Sequence, residues 1–406
     1  MLKVFICRKM KMKLIILSLI IISLQSFAFS NEKTAIRGVW VPAPRFTKVL
    51  HSYQNVKNFV ELLDSLNFNA IFLVSYAETH TIYPSKVLAK YTGEKNIQKT
   101  SLLNPYLKDY NNPLKSPTND AVSDLINLAH LRNIKVFFWY EYGFMGDVKP
   151  ITNENLLLAK NPDWLGIAND GTPAAYNNKD YYFNAYHPKV QKYMIKLIEE
   201  GIKLYPEVDG IQGDDRLPAM PKNSGYDEFT LKKYKKEHKG IKPPQDFNDT
   251  AWVNWRINIL NEFAVKLYKA AHAVKKEIIV SFAPNPYPWS KENLMQDWPT
   301  WIKNGSCDLI AVQCYRYNAE AYKNTVTEAL RYVKNGNPDQ LFAPGIILME
   351  GNQIKMTADL LKQQLTTNRE LGIDSEIFFY NEALNNTQIQ KVFKEVYPTK
   401  VTFPKK

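Results

Sequence analysis

Val208-Asp209-Gly210-Ile211-Gln212-Gly213-Asp214-Asp215 is a short run that ends in two adjacent carboxylates. Side chains alternate between the faces of a strand, so Val208, Gly210, Gln212 and Asp214 share one face and Asp209, Ile211, Gly213 and Asp215 the other. Ile211 is the apolar residue suited to packing outward on helices, which turns Gln212 and Asp214 toward the inside of a barrel. Two acids at the end of a buried strand each need a partner or solvent. The C-terminal end of a parallel strand is where α/β barrels place catalytic groups. The competing reading is structural: Asp214 holds an arginine such as Arg216, and Asp215 caps the next loop.

Working outward, seven more β-rich runs match this one. The full set is Ile36–Val41, Ala70–Tyr76, Lys135–Tyr140, Val208–Gln212, Glu277–Phe282, Asp308–Cys314, Leu341–Leu348 and Glu376–Tyr380. Helical periodicity fills the intervals, as in Val56, Phe59, Val60, Leu63 and Leu66, or Val122, Leu125, Ile126 and Ala129. Strand and helix repeated eight times predict an α/β chain closed into a (β/α)8 TIM barrel. An open doubly wound sheet is the runner-up. It lacks a glycine-rich phosphate turn after its first strand, since Arg37-Gly38-Val39-Trp40 leads into Pro42 and Pro44.

The chain has 406 residues, 45% of them hydrophobic, enough for a large core. Lys3, Arg8, Lys9, Lys11 and Lys13 precede an apolar run from Leu14 to Leu24, and Ser26-Phe27-Ala28 offers a cleavage site. Residues 1–28 therefore read as a secretory signal peptide, with Met10 or Met12 as alternative starts, and 29–406 as one domain. No cysteine at the junction marks a lipid anchor, and the apolar run is short for a membrane span. A secreted or periplasmic protein with no stable membrane insertion after signal cleavage is expected. Removing the signal lowers the net charge from +12 to +7, spread along the chain without an arginine-rich stripe, so nucleic acid is not an expected partner. Cys307 and Cys314, if on one strand, lie about 23 Å apart and face opposite ways, which excludes a disulfide between them.

Three connections are long, 77–119, 141–187 and 213–250, and all would emerge at the C-terminal face of a barrel. They are rich in Tyr, Trp and Asn, including Tyr83, Tyr106, Tyr110, Trp164, Tyr176 and Tyr181. Rings that stack on pyranose faces and amides that bond hydroxyls suit a sugar-polymer groove. The strand ends deliver Glu141, Asp214, Asp215, Asn285, Gln313, Tyr315, Arg316, Glu350 and Glu382; Arg37 and Trp40 come from the first strand, and Tyr76 and Glu78 from the second. Several carboxylates with amides and tyrosines suit glycoside cleavage, which needs one protonated and one ionised carboxyl. The six histidines show no paired zinc-ligand spacing and no Gly-x-Ser-x-Gly elbow occurs. A cysteine nucleophile would have to be Cys314. No cofactor or metal is required.

Arg37-Gly38-Val39-Trp40, Asn69-Ala70-Ile71-Phe72, Trp139-Tyr140-Glu141-Tyr142-Gly143-Phe144, Asn161-Pro162-Asp163-Trp164, the Asp209–Asp215 strand, Ser281 to Pro286 and Gln313-Cys314-Tyr315-Arg316 together resemble the glycosyl-hydrolase-like family 10, or DUF187, proteins. The resemblance spans roughly Ile36 to Leu384. It implies a (β/α)8 barrel and an exported glycosidase acting on an envelope or extracellular glycan, with a peptidoglycan-type glycan as one candidate. Asp-Gly-x-x-x-Asp also resembles the nucleophile strand of α-amylase-like barrels and falls on Asp214. Two positions depart from the family: Gly213 replaces an aromatic residue, and Glu350 is an acid that relatives need not carry. The expected catalytic residues are Asp214 as nucleophile or electrostatic stabiliser, Glu141 as general acid, and Asp215 as the alternative acid. Arg37, Trp40, Tyr76, Asn285, Gln313, Tyr315, Arg316 and Glu350 are expected to bind the oligo- or polysaccharide. A non-catalytic carbohydrate-binding protein on the same barrel is the rival reading.

Overall fold

The computed structural model describes residues 33–110, 116–146, 156–176 and 180–405. The expected signal peptide and parts of the long connections lie outside the described residues. Each apolar run becomes a strand: β1 (Arg37–Val41), β2 (Ala70–Ala77), β3 (Lys135–Tyr140), β4 (Gly210–Gly213), β5 (Ile279–Phe282), β6 (Leu309–Ile310), β7 (Leu341–Phe342), β8 (Gly345–Ile347) and β9 (Glu376–Phe379). They pair in parallel in the order β7-β6-β5-β4-β3-β2-β1-β9-β8.

β7 and β8 are two halves of the single predicted strand Leu341–Leu348. The break falls at Ala343-Pro344, where proline has no N–H to give the ladder. β7 pairs with β6 and β8 with β9, so the split strand joins the two ends of the sheet and curls it into the (β/α)8 barrel. A bridge between Gln313 and Gly345 adds to the closure. The predicted sixth strand is also shorter than expected, with Ala311 to Cys314 beyond its regular pairing. Cys307 and Cys314 are buried free thiols.

The intervening helices include α1 (Tyr53–Ser65), α2 (Ala121–His130), α3 (Pro188–Leu204), α4 (Glu228–Glu237), α5 (Thr250–Val274), α6 (Ala319–Gly336), α7 (Ala358–Glu370) and α8 (Thr387–Val396). Each starts on a side chain that accepts a free N–H of the first turn; Ser52, Asp120, Asp227 and Asp249 are four of these caps. Val56, Phe59, Val60 and Leu63 form the buried stripe of α1, as their spacing predicts. Burying one such side chain contributes about 1.5–3 kcal/mol.

The barrel interior follows the strand alternation read from β4. Trp40 Nε1 donates to Gln212 Oε1 at 2.7 Å, and Gln212 Nε2 donates to Ser281 Oγ at 2.9 Å, both fully inside. Trp40, Trp139 and Phe379 pack against one another above this layer, with ring centroids 6.2–6.3 Å apart. Below it, Phe72 stacks on Phe137, and Phe403 from the C-terminal tail comes within 5.8 Å of Phe137 to close the N-terminal end.

At that N-terminal end a polar residue precedes every second strand and takes an N–H from the strand beside it. Asn69 Oδ1 accepts from Arg37 N at 2.9 Å, Asp209 Oδ2 from Val136 N at 2.8 Å and Asp308 Oδ2 from Val280 N at 2.9 Å. These contacts satisfy backbone donors that the parallel ladder leaves open.

Candidate active site

β3 and β4 end side by side, with Tyr140 opposite Gly213. The next residues are Glu141 on one strand and Asp214-Asp215-Arg216 on the other. Two glycines allow these ends to close up. A Cβ at Gly213 would stand 2.5 Å from Leu217 O, and one at Gly143 would stand 2.6 Å from Arg216 O. Gly143 also has φ of +49°, a conformation L side chains rarely adopt. Phe144 N donates to Arg216 O at 3.0 Å and Leu217 N to Asp214 O at 3.2 Å, which clips the two turns together. Gly213 thus permits a tight return of the chain behind Asp214.

Arg216 gathers the acids. Its backbone N–H donates to Asp214 Oδ1 at 2.9 Å, and its Nη1 donates to Asp214 Oδ2 at 2.6 Å and to the carbonyl of Glu141 at 3.1 Å. The same Nη1 lies 3.0 Å from Asp215 Oδ1, and the guanidinium sits 5.5 Å from the centre of the Tyr142 ring. Asn285 Nδ2 donates to Asp215 Oδ2 at 3.0 Å. Asp214 is 1% exposed with both oxygens committed to Arg216, whereas Asp215 is 18% exposed. Glu141 Oε2 and Asp215 Oδ1 are buried oxygens without a hydrogen-bond partner.

One guanidinium among three carboxyls leaves excess negative charge in a desolvated place. Burial pushes the Glu141 carboxyl up to about 7; Arg216 and Arg45 oppose the shift and Asp215 adds to it. Burial also drives Asp214 up, against the pull of the Arg216 guanidinium and N–H. The carboxylates in turn hold Arg216 firmly charged despite its burial. Burial and the nearby Asp215 and Asp214 raise the Tyr315 phenol well above its ordinary range, so it stays a hydroxyl donor. Carboxyls in such unlike surroundings can divide acid and base roles between them.

The other expected residues divide by location. Asn285 and Tyr315 join the acids, and Trp40 lies directly under them as a covered floor, in edge contact with Tyr315 at 6.5 Å. Gln313 is half-buried and donates to the carbonyl of Ala283. Arg316 sits further out, with Nη1 on the carbonyl of Tyr315 and its own carbonyl held by Gln364. Glu350 is exposed on a small hairpin and accepts from Tyr317.

Two expectations are corrected. Arg37 begins β1 and so lies at the opposite end of the barrel, donating to the carbonyls of Asn67 and Thr399 and stacking 4.2 Å from the Tyr397 ring. Tyr76 reaches the C-terminal end of β2 but is fully buried against Tyr193 of α3, facing the helices and not the barrel interior, because the strand register shifts between Val74 and Tyr76. Three contributors were not among the expected site residues. Arg216 was weighed only as a structural partner. Arg45 pairs with Glu78 and reaches the field of Glu141. Trp139 is 3% exposed, with an indole N–H that has no partner. The signal for the two arginines was present: each cation follows the end of an apolar strand within a few residues.

The parallel barrel, with this cluster of acids at the C-terminal end of its strands, has a fold of the glycosidase type. The model of the glycosyl hydrolase-like 10 family matches residues 35–339, and the chain belongs to that family. Among solved structures it is similar to the PgaB (BpsB) glycoside hydrolase domain of Bordetella bronchiseptica, with a TM-score of 0.63 at 13% identity, over 92% of this chain and 100% of that one. It is also similar to the β-galactosidase of Marinomonas ef1, with a TM-score of 0.57 at 9% identity, over 88% of this chain and 59% of that one. The β-galactosidase of Halorubrum lacusprofundi gives a TM-score of 0.58 at 8% identity, over 91% and 58%. At these identities the likeness is one of fold. A search of curated proteins finds no match.

Proposed function

We propose that this chain is an exported glycoside hydrolase that cleaves a polysaccharide of the cell envelope or its surroundings. The observation that carries the reading is the pairing of Glu141 with Asp215 around Arg216. Glu141 is a desolvated carboxyl with an unpartnered oxygen and an affinity for its proton near neutral pH. Asp215 is partly open and held by Asn285. Glu141 gives its proton to the leaving oxygen, and Asp215 supplies the negative charge that an oxocarbenium-like transition state requires.

In this proposal the division of labour differs from the one expected from sequence, where Asp214 is the nucleophile or electrostatic stabiliser. Asp214 has both oxygens on Arg216 and almost no exposure, so it acts as a positioning residue that fixes the guanidinium. Tyr315 and Asn285 orient sugar hydroxyls, and the Trp40, Trp139 and Phe379 rings form an apolar floor. Export is supported by the basic, apolar and small-residue order of residues 1–28. N-terminal sequencing of the folded protein tests it: a start near Phe29 is expected, and a start at Met1 or Met12 overturns it.

Release of soluble sugar from a panel of envelope and extracellular polysaccharides tests the activity. Turnover by the parent, abolished in Glu141→Gln and in Asp215→Asn, is the expected result. Binding without release by the parent would establish the carbohydrate-binding alternative instead.

A further inference from the structure

The connection from β4 to α5 carries a feature that the acid cluster does not use. Between Glu228 and Lys242 there are six lysines and two glutamates. Lys232, Lys235 and Lys236 are exposed on α4, and Lys239 and Lys242 follow in the turn after it. Lys232 pairs with Glu228, and Lys233 pairs with Glu237 while covering the Trp255 ring at 5.5 Å. Lys235, Lys236, Lys239 and Lys242 have no carboxylate partner among the described residues. Lys239 and Gly240 both have positive φ, and the turn presents Ile241 at 64% exposure between two lysines.

α4 is held rigidly from the other side. Tyr234 stacks on His238 at 3.7 Å and meets Trp252 and Trp255 edge-on at 5.0 and 5.1 Å, and Trp255 Nε1 donates to Glu237 at 2.8 Å. An ordered helix with Lys232 and Lys236 at i,i+4 places like charges together, which disfavours the helix. The helix dipole accounts for lysines in the last turn. It does not account for Lys239 and Lys242, which lie past the end, or for an exposed isoleucine among them.

We propose that the lysines of α4 and the turn carrying Ile241 form a peripheral docking surface for a bilayer that contains anionic lipid. Unpaired lysines supply attraction to the headgroups, and Ile241 supplies an apolar contact at the interface. A soluble polyanion would engage the lysines and leave the isoleucine unused, so the combination favours the bilayer. Among the described residues no helix is long and apolar enough to cross a membrane, and the proposed contact is one with the bilayer surface. The segment leaves the C-terminal end of β4, where Asp214 and Asp215 also lie, so docking brings that end of the barrel toward the bilayer.

Sedimentation of the mature full chain with phosphatidylcholine vesicles, with and without phosphatidylglycerol, tests this without reference to any glycan. Binding is expected only with phosphatidylglycerol. Each lysine at an anionic surface is worth about a five-fold gain in partitioning, so K235Q/K236Q/K239Q/K242Q should lose about a hundred-fold or more. I241S should lose a smaller factor, and both variants should keep the parent's circular dichroism and melting. No binding, equal binding to both vesicles, or losses confined to a misfolded variant would overturn the proposal. Binding to dextran sulfate as tight as to vesicles, with I241S unaffected, would also overturn it and assign the lysines to a polyanion.

Discussion

The two ends of this barrel treat buried carboxylates in opposite ways. At the N-terminal end Asp209 accepts from Lys135 and from Val136 N and meets His130, each at 2.8 Å. Asp308 takes Val280 N and the Tyr268 hydroxyl, and Glu376 takes Asn368, the Tyr397 hydroxyl and the Arg369 guanidinium. Each acid there has partners from several elements. At the C-terminal end two carboxylates share one arginine, which also donates to the main-chain carbonyl of Glu141, and Glu141 Oε2 and Asp215 Oδ1 have no hydrogen bond. Removing an acid from the first set should weaken the fold, because the donors around it would be stranded. Removing one from the second should weaken chemistry, because the fold is already bearing its charge at a loss.

The largest effect expected from this contrast is at the mouth. Glu141→Gln and Asp215→Asn should each lower kcat/KM by about 10³-fold on a polysaccharide that the parent cleaves, a typical size for loss of acid–base catalysis. For Glu141→Gln the loss should shrink on activated aryl glycosides, whose leaving groups need little protonation. Steady-state kinetics on the two substrate types checks this. Equal losses on both would make Glu141 a binding group and shift the acid role to Asp215.

Next in size is the opposite end. Glu376→Gln breaks an ion pair in which Glu376 is fully buried and Arg369 is partly exposed. It should destabilise the protein by about 2 kcal/mol, since Arg369 keeps only the more distant Asp374 and some solvent, and the Tyr397 and Asn368 donors lose a charged acceptor. The fraction that remains folded should turn over normally. Denaturant unfolding beside active-site titration separates the two. A variant with intact stability and lost activity would erase the distinction between the ends.

A third prediction uses pH, where the ends carry opposite signs. Burial opposes ionisation of Asp209, but His130, Lys135 and the Val136 N–H outweigh it, and its carboxyl is held below the usual range. It therefore contributes stability that is present above its unfolded pKa and lost as pH falls through the folded one. Glu141 is raised to about 7, so folding favours its protonated form. The stability it contributes is complete below its unfolded pKa and is lost as pH rises through about 7. Glu141→Gln should accordingly gain about 1–2 kcal/mol over the parent at pH 8 and nothing at pH 4. Activity should fall through the same alkaline limb near 7 as Glu141 loses the proton it donates. A pH series of unfolding curves and of kcat checks both.

Much of the barrel was legible because its strands are near-continuous apolar runs, as buried parallel strands must be. The inward face of β4 followed from one isoleucine, and the Trp40–Gln212–Ser281 chain of hydrogen bonds shows the alternation directly. What misled the reading was position along a strand. Tyr76 follows an irregularity in the β2–β3 pairing that reverses its face, and nothing in Phe72-Leu73-Val74-Ser75-Tyr76 announces it. The break between β7 and β8 also departs from the single strand expected over Leu341–Leu348, although Pro344, unable to donate inside a strand, carries the signal for it. Arg216 escaped as a site residue because a short ion pair two residues apart reads as local structure until Asp215 and the main-chain carbonyl of Glu141 are seen on the same guanidinium.

Arg37 offers the smallest and most discriminating test, because sequence placed it with the sugar ligands and the fold places it at the other end. Its guanidinium donates to Thr399 O at 2.6 Å and Asn67 O at 3.3 Å and lies over the Tyr397 ring, all below the first strand. Arg37→Met keeps the aliphatic packing and removes those contacts, which should lower stability by about 1 kcal/mol, the usual net worth of such a hydrogen bond. With the barrel length between it and the acids, kcat/KM per folded molecule should stay within about two-fold of the parent, since sites without shared partners act independently. Arg45→Met is the matched control: Arg45 stands beside Glu78 at the mouth and reaches the field of Glu141. That variant should leave stability nearly unchanged, because an exposed ion pair is worth about 0–1 kcal/mol. It should instead move the alkaline limb upward, since a cation that favours ionised Glu141 is gone. A ten-fold loss in kcat/KM for Arg37→Met at unchanged stability, with no shift for Arg45→Met, would show that function is not confined to the C-terminal end.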